Sequence, residues 1–183
     1  MKWSFRKYLL FPGRFMPVVI AFALALSSCG GKKHTVRSDH HREDRTSVKV
    51  DFGKLDKTRR LIVEEAMTWL DTPYRYAGEE KGRGTDCSGM VMRVFDDVMG
   101  WKLPRNSAKQ AQYCHKLKSK DVKPGDLVFF ATGKDPDRIS HVGIMIDEVN
   151  FIHASTSKGV VISRVDTPYY IRTFMMYGRP PEF

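Results

Sequence analysis

The sequence predicts an α+β domain in which N-terminal helices pack on a small antiparallel sheet. Two observations carry this. Up to about residue 117 the apolar residues recur at helical spacing. After residue 121 the pattern changes to short runs of β-branched and aromatic residues separated by turn residues. Helices first and a strand meander second is the order of an α+β fold. No internal repeat is visible, and the 183 residues suit one domain with attachments.

The folded part begins near residue 52. In "KLDKTRRLIVEEAMTWL", Leu55, Leu61, Ile62, Ala66, Trp69 and Leu70 fall roughly on one helical face, and Asp71, Thr72 and Pro73 end it. "YRYAGEEKGRGT" reads as an irregular loop. A second helix starts after Asp86. Its apolar positions 90, 91, 94, 95 and 98 have the spacing of a buried helix, and Gly100 suits its end. "LPRNSAKQAQYCHKL" reads as a third helix, with Asn106 or Ser107 as its cap after Pro104. The strands are expected in "KPGDLVFFA", "SHVGIMID", "NFIHAS", "GVVISRV" and "FMMYGRP", with a hairpin turn at "SKG", residues 157–159. Trp69 and Trp101 read as core or lid residues, Met175 and Met176 as strand fillers, Asp126 as a turn organiser, and His115 as exposed on the third helix.

Residues ahead of this domain read differently. Lys2, Arg6, Lys7 and Arg14 precede an apolar run from Met16 to Leu26. Such a run suits a signal peptide and is too short to cross the ~30 Å core of a bilayer as a helix. "LSSC", Leu26 to Cys29, followed by two glycines, resembles the bacterial lipobox. That resemblance implies a signal peptide over 1–28, a lipid on Cys29, and a tether over 29–51 ahead of a domain over 52–183. Several acyl chains, at ~0.8 kcal/mol per buried methylene, hold a protein firmly to a membrane. The tether is polar and mixed in charge, and its His34, His40 and His41 read as solvated linker residues rather than metal ligands.

The net charge of +10 hints at nucleic acid until it is located. Residues 1–50 hold ten Lys/Arg against three Asp/Glu, so +7 belongs to leader and tether and only +3 to the folded part. No nucleic-acid partner is expected.

Cys87 in "GTDCSGMVMRVF" stands at the mouth of the second helix rather than inside its apolar run. Asp86 or Thr85 can cap that helix, which puts the thiol in the first turn. There the helix dipole and free amides favour a thiolate. The ordinary thiol pKa of ~8.5 must fall for a nucleophile at neutral pH, and a histidine can complete the task. Two histidines lie in the strand region. His141 opens an apolar strand and His153 sits near the end of the next. If those strands pair, His141 serves as base and His153 as its orienter. Two strand histidines bonded to neighbouring backbone are the bland alternative. Cys114 reads as a small packing residue, without a disulfide to Cys87.

"PYRYAG…GTDCSGMV", "LPRNSAKQ", "KPGDLVFF", "SHVGIMI" and "FIHAST" together resemble the NlpC-type cell-wall cysteine peptidases, over about residues 56–180. The resemblance implies a papain-like fold and hydrolysis of amide bonds in peptidoglycan stem peptides, usually between D-glutamate and the diamino acid. It implies Cys87 as nucleophile, His141 as base and His153 as third member. It implies Tyr74, Asp86, Ser88, Arg105 and Ser107 as substrate-side residues, and neither metal nor organic cofactor. Ala77 stands where glycine is frequent in this family, and no acid stands near Asn106, which favours an endopeptidase. The expectation is a monomeric, lipid-anchored enzyme of the bacterial envelope, on the periplasmic face or outer membrane. A wall amidase or acyltransferase on the same fold, and a catalytically silent wall-binding lipoprotein, are the rival readings.

Overall fold

The computed structural model describes residues 50–183, so the expectations for the signal peptide, Cys29 and the tether lie outside the described residues. Helix α1 spans Lys57–Met67. It starts where the Asp56 carboxylate accepts the Arg59 amide, which later residues of the apolar pattern did not reveal. Leu55, Trp69 and Leu70, expected on its face, lie beyond its ends yet still pack on the core. The loop that follows contains a two-residue ribbon, β1 (Glu79–Glu80) against β2 (Gly84–Thr85). Helix α2 spans Cys87–Met99, capped by Asp86 and closed by Gly100 in the left-handed conformation at φ 69°.

Helix α3 spans Ser107–Tyr113 and is capped by Asn106, whose side chain accepts from the Ala108 and Lys109 amides. It is shorter than expected. Cys114 turns extended, and His115–Leu117 form β3, an edge strand against the last strand. His115 is exposed as expected, but on a strand rather than a helix.

The central strands are β4 (Leu127–Phe130), β5 (His141–Met145), β6 (Asn150–Ser155) and β7 (Gly159–Arg164). A short helix α4 (Pro168–Thr173), with proline at its start, leads into β8 (Phe174–Arg179). Its six residues are too few to show a helical period, so the sequence pattern missed it. The six-stranded sheet runs in the order β3-β8-β4-β5-β6-β7, and every pairing within it is antiparallel. The α+β expectation is met.

Both faces of the sheet are covered. On one, Ile62, Val63 and Ala66 of α1 and Met90, Val91, Val94 and Phe95 of α2 pack on Leu127, Phe129, Val142, Ile144 and Ile152. On the other, Val128, Phe130, Met145 and Phe151 meet Tyr170 and Tyr177. This explains the unbroken apolar run "LVFF" in β4, buried throughout because alternate residues serve opposite cores. Trp69 is buried, while Trp101 stacks on Phe95 at 5.9 Å and meets Phe183 edge-on at 5.1 Å.

Asp126 does more than organise a turn. It accepts the Lys123 amide at 2.8 Å, and its fully buried carboxylate is also gripped by Arg59 of α1 and Arg179 of β8. Arg59 in turn lies over the Phe183 ring, 4.2 Å from its centroid. One charge cluster thus ties the first helix, the central strand and the chain end together. Cys114 packs against the core as expected, and Cys87 and Cys114 are both free.

Candidate active site

Cys87 is the first residue of α2, and the turn before it is built around Asp86. The Asp86 Oδ1 accepts the Gly89 amide at 2.7 Å and the Ser88 hydroxyl at 3.2 Å, while Oδ2 accepts the Ala77 amide at 3.0 Å. Arg105 closes the arrangement. Its guanidinium donates to both Asp86 oxygens, to Ser88 Oγ at 2.9 Å and to the Gly78 carbonyl at 3.1 Å. Asp86, Ser88 and Arg105, expected on the substrate side, are therefore joined to one another and fix the loop that carries Ala77 and Gly78. Ala77 sits at φ 57°, a left-handed conformation that accounts for the preference for glycine at this position.

Gly89 has its own reason. A β-carbon there would stand 2.2 Å from the Gly78 carbonyl oxygen, so helix and loop touch only because the side chain is absent. The "DCSG" run is accordingly a cap, a thiol, a hydroxyl that completes the cap, and a gap.

On the sheet, His141 begins β5 and His153 lies within β6. Both are buried. His141 Nε2 and His153 Nδ1 are 2.9 Å apart, with the rings nearly perpendicular at 87°. Gly143 makes room for this. A β-carbon on it would meet Phe151 at 2.5 Å and the His153 Cβ at 3.2 Å. With His141 Nε2 engaged by His153, its Nδ1 remains for another partner. The thiol side lies near the same strand, because the amide of Val142, the residue after His141, is among the groups that pull the Cys87 thiol down. The far nitrogen of His153, Nε2, faces Ser163 Oγ at 3.0 Å and the Tyr170 hydroxyl at 3.1 Å. The sequence reading named neither of these. Ser163 is a polar interruption in the apolar "GVVIS", and Tyr170 lies in the unrecognised helix α4.

The electrostatics differ from the sequence expectation. Burial, then the Asp86 carboxylate, pushes the Cys87 thiol up to about 11, against the amides of Val142, Ser88 and Cys87 itself. The helix end does favour the thiolate, but loss of water outweighs it. Burial likewise pulls His141 down to about 4. Burial, then His141 and Lys158, pulls His153 well below the ordinary imidazole value. The resting site therefore holds a neutral thiol and two neutral imidazoles at neutral pH. Burial, then Cys87 and Asp86, raises the Tyr74 hydroxyl, which stays a proton donor beside the thiol.

Ser107 is separate from this cluster. It is buried at the start of α3 and lines a cavity of about 340 Å³ with Asn106, Lys134, Arg138 and Ile139. A second cavity, of about 270 Å³, opens beside His141 and His153 and is lined by Thr132, Ser155, Ser157, Tyr169 and Tyr170.

Residues 71–179 match the family model of the NlpC/P60 family. The chain belongs to the NlpC/P60 family. Among its relatives, the protein named "Probable endopeptidase NlpC" of Escherichia coli strain K12 is 42% identical over 116 residues, covering 63% of this chain and 74% of that one. The murein DD-endopeptidase MepS/murein LD-carboxypeptidase of the same strain is 31% identical over 166 residues, covering 85% of this chain and 86% of that one. A crystal structure of an NlpC/P60 family protein from Bacillus cereus superposes with a TM-score of 0.61 at 29% identity. The match covers 66% of this chain and 39% of the solved one, so this chain spans about two fifths of that protein's length. The NlpC/P60 papain-like fold accounts for the pairing of a helix that carries a cysteine at its head with a strand that begins on a histidine.

Proposed function

We propose that this chain is a cysteine peptidase of the bacterial cell wall that hydrolyses amide bonds in peptidoglycan stem peptides through Cys87, His141 and His153. The observation that carries the reading is the 2.9 Å contact between His141 and His153 on the strand whose Val142 amide is among the groups that pull the Cys87 thiol down. The NlpC/P60 family and its murein endopeptidase relatives support the substrate class.

Each step follows from the resting charges. As a substrate carbonyl arrives, the Cys87 proton passes to His141 Nδ1 and the sulfur attacks the carbonyl carbon. Proton transfer and attack go together because neither the free thiolate nor the free imidazolium is favoured in the buried site. His141 becomes a cation, and His153 Nδ1 accepts its Nε2 proton in a hydrogen bond that holds the ring in place. Negative charge on the carbonyl oxygen is met by the Cys87 amide at the head of α2 and by the Tyr74 hydroxyl. His141 then protonates the leaving amine, which departs and leaves an acyl group on Cys87. Water, deprotonated by the same imidazole, releases the acid product.

The bond proposed is that between D-glutamate and the diamino acid. A second reading, cleavage at a D,D crosslink, is favoured by the name of the relative that covers the largest share of this chain among those described above. Digestion of defined muropeptides separates them, because each bond leaves products of different mass. Products of neither mass, or of a sugar–peptide cut, point to the amidase or acyltransferase alternative. Cys87→Ala must abolish all products while the thermal midpoint stays within a few degrees. Unchanged hydrolysis by that variant sinks Cys87 as the nucleophile, whereas a wild-type chain that binds wall fragments and releases no product favours the wall-binding role.

The enzyme is further proposed to act as a lipid-anchored monomer. The support is the "LSSC" run ending at Cys29. Labelled fatty acid should enter the full chain and not a Cys29→Ala variant, which should also leave the membrane fraction.

A further inference from the structure

We infer that Ser163 and Tyr170 are positioning residues that hold His153 in the tautomer protonated at Nε2, so that its Nδ1 can only accept and His141 Nδ1 is left bare for the Cys87 proton. The inference rests on the triad reading above and extends it outward by one layer.

The protons along this chain of contacts can be counted one by one. A neutral imidazole carries one N–H and one bare nitrogen. His141 can take the thiol proton only on a bare Nδ1, so its own proton must sit on Nε2. That N–H points at His153 Nδ1, 2.9 Å away, which must then be bare. His153 is therefore protonated at Nε2. This N–H is buried, and a buried donor without an acceptor is costly.

Two oxygens meet it, Ser163 Oγ at 3.0 Å and the Tyr170 hydroxyl at 3.1 Å. Each hydroxyl carries two lone pairs and one rotatable hydrogen, so each can accept the N–H while its own hydrogen turns elsewhere. The series reads His141 N–H to His153 and His153 N–H to the oxygens of Ser163 and Tyr170, every donor running in one direction. Tyr170 stands at the wall of the 270 Å³ cavity, where its own hydroxyl hydrogen can find an acceptor.

Strand geometry explains the pairing. His153 lies opposite Val161 and Phe151 opposite Ser163, so Ser163 is the diagonal cross-strand neighbour of His153 on one sheet face. Phe151 stacks against the His153 ring at 4.8 Å and 27°, which fixes the plane in which Nε2 points. Tyr170 arrives from α4 and meets Phe151 edge-on. The charged or titratable groups around His153 are His141, Tyr170 and the more distant Lys158, with no carboxylate among those described, so hydroxyls alone decide its tautomer.

The reverse tautomer is the failure state. With His153 protonated at Nδ1 it would donate to His141 Nε2, and the proton of His141 would move to Nδ1, where it blocks uptake from the thiol. A wrong tautomer in a triad costs up to ~10⁴ in kcat.

The full chain is assayed on a defined stem peptide as wild type, Ser163→Ala, Tyr170→Phe and the double variant. Each single variant should lose less than about tenfold in kcat, because one oxygen remains. The double variant should lose about a hundredfold or more with KM within about twofold. Ser163→Thr, which keeps the hydroxyl, should stay near wild type. Nitrogen-15 spectra should find His153 protonated at Nε2 in the wild type and at Nδ1, wholly or in part, in the double variant. A folded double variant with wild-type kcat, or a wild-type protein whose His153 carries its proton on Nδ1, overturns the inference. Cys87→Ala and His141→Ala are run beside them. If these two are inactive while the double variant is unimpaired, only this inference fails. If they remain active, the triad reading fails, and the tautomer spectrum still decides what Ser163 and Tyr170 do.

Discussion

Arg105 holds both carboxylate oxygens of Asp86, each of its terminal nitrogens lying 2.9 Å from one of them. Asp86 immediately precedes the thiol in sequence, and Arg105 reaches Asp86 from 19 residues along the chain. Asp86 raises the Cys87 pKa by its charge, and the guanidinium both offsets that charge and keeps the loop against the helix. Arg105→Lys keeps the positive charge but loses the planar fork. Expected are a fall of about tenfold in kcat/KM and a stability loss of about 1–2 kcal/mol. Steady-state kinetics and a denaturant titration check both, and unaltered kinetics would leave Arg105 without a role in the site.

Gly89 is predicted to be intolerant of even one methyl group. Its β-carbon would press on a backbone carbonyl, that of Gly78, which has no rotamer to give. Gly89→Ala must push the loop off the helix and pull at the Asp86–Arg105 pair. Expected are a stability loss of about 1–3 kcal/mol and a larger proportional loss of activity. Thermal melts and peptide hydrolysis measure the two.

Stability should fall in acid through the buried histidines. His141 has a folded pKa of about 4 against an ordinary 6.5. Between those values the unfolded chain takes up a proton that the folded protein refuses. Stability from this group is therefore fully present above pH 6.5 and is lost as the pH falls toward 4. At ~1.4 kcal/mol per pH unit the loss is about 3 kcal/mol. His153 acts in the same direction. Chemical denaturation from pH 8 to pH 4 should show this slope, and His141→Gln should flatten it. In the same range Cys87 of the free enzyme should react with iodoacetamide no faster than free cysteine, because its pKa is about 11. Slow labelling is thus the mark of a buried resting site and does not speak against catalysis.

The Asp126 cluster is predicted to carry stability rather than chemistry. Asp126→Asn leaves Arg59, which is itself buried, and Arg179 without their shared anion. Removing one partner of a buried ion pair costs about 3–5 kcal/mol. Denaturant midpoints should fall accordingly, while kcat of the remaining folded enzyme stays near wild type.

The sequence by itself determined the succession of three helices and the main strands after them, a cap at Asp86 or Thr85, the glycine stop at Gly100, and the two strands that carry His141 and His153. These are local matters of periodicity and turn chemistry, written within a few residues of where they act. Resemblance to a family implies the candidate triad. Tertiary structure alone decided the rest. The short strand β3 and the helix α4 exist because β8 and the second core accept them, not because six residues have a strong preference. Asp86, Ser88 and Arg105 became one locked cluster through a contact 19 residues apart. The thiol became less acidic rather than more, since desolvation depends on everything packed around the sulfur and the local sequence shows only the helix end. Ser163 and Tyr170 reached His153 across a sheet register and a separate helix. Such contacts depend on distance in space, which a chain records only after it has folded.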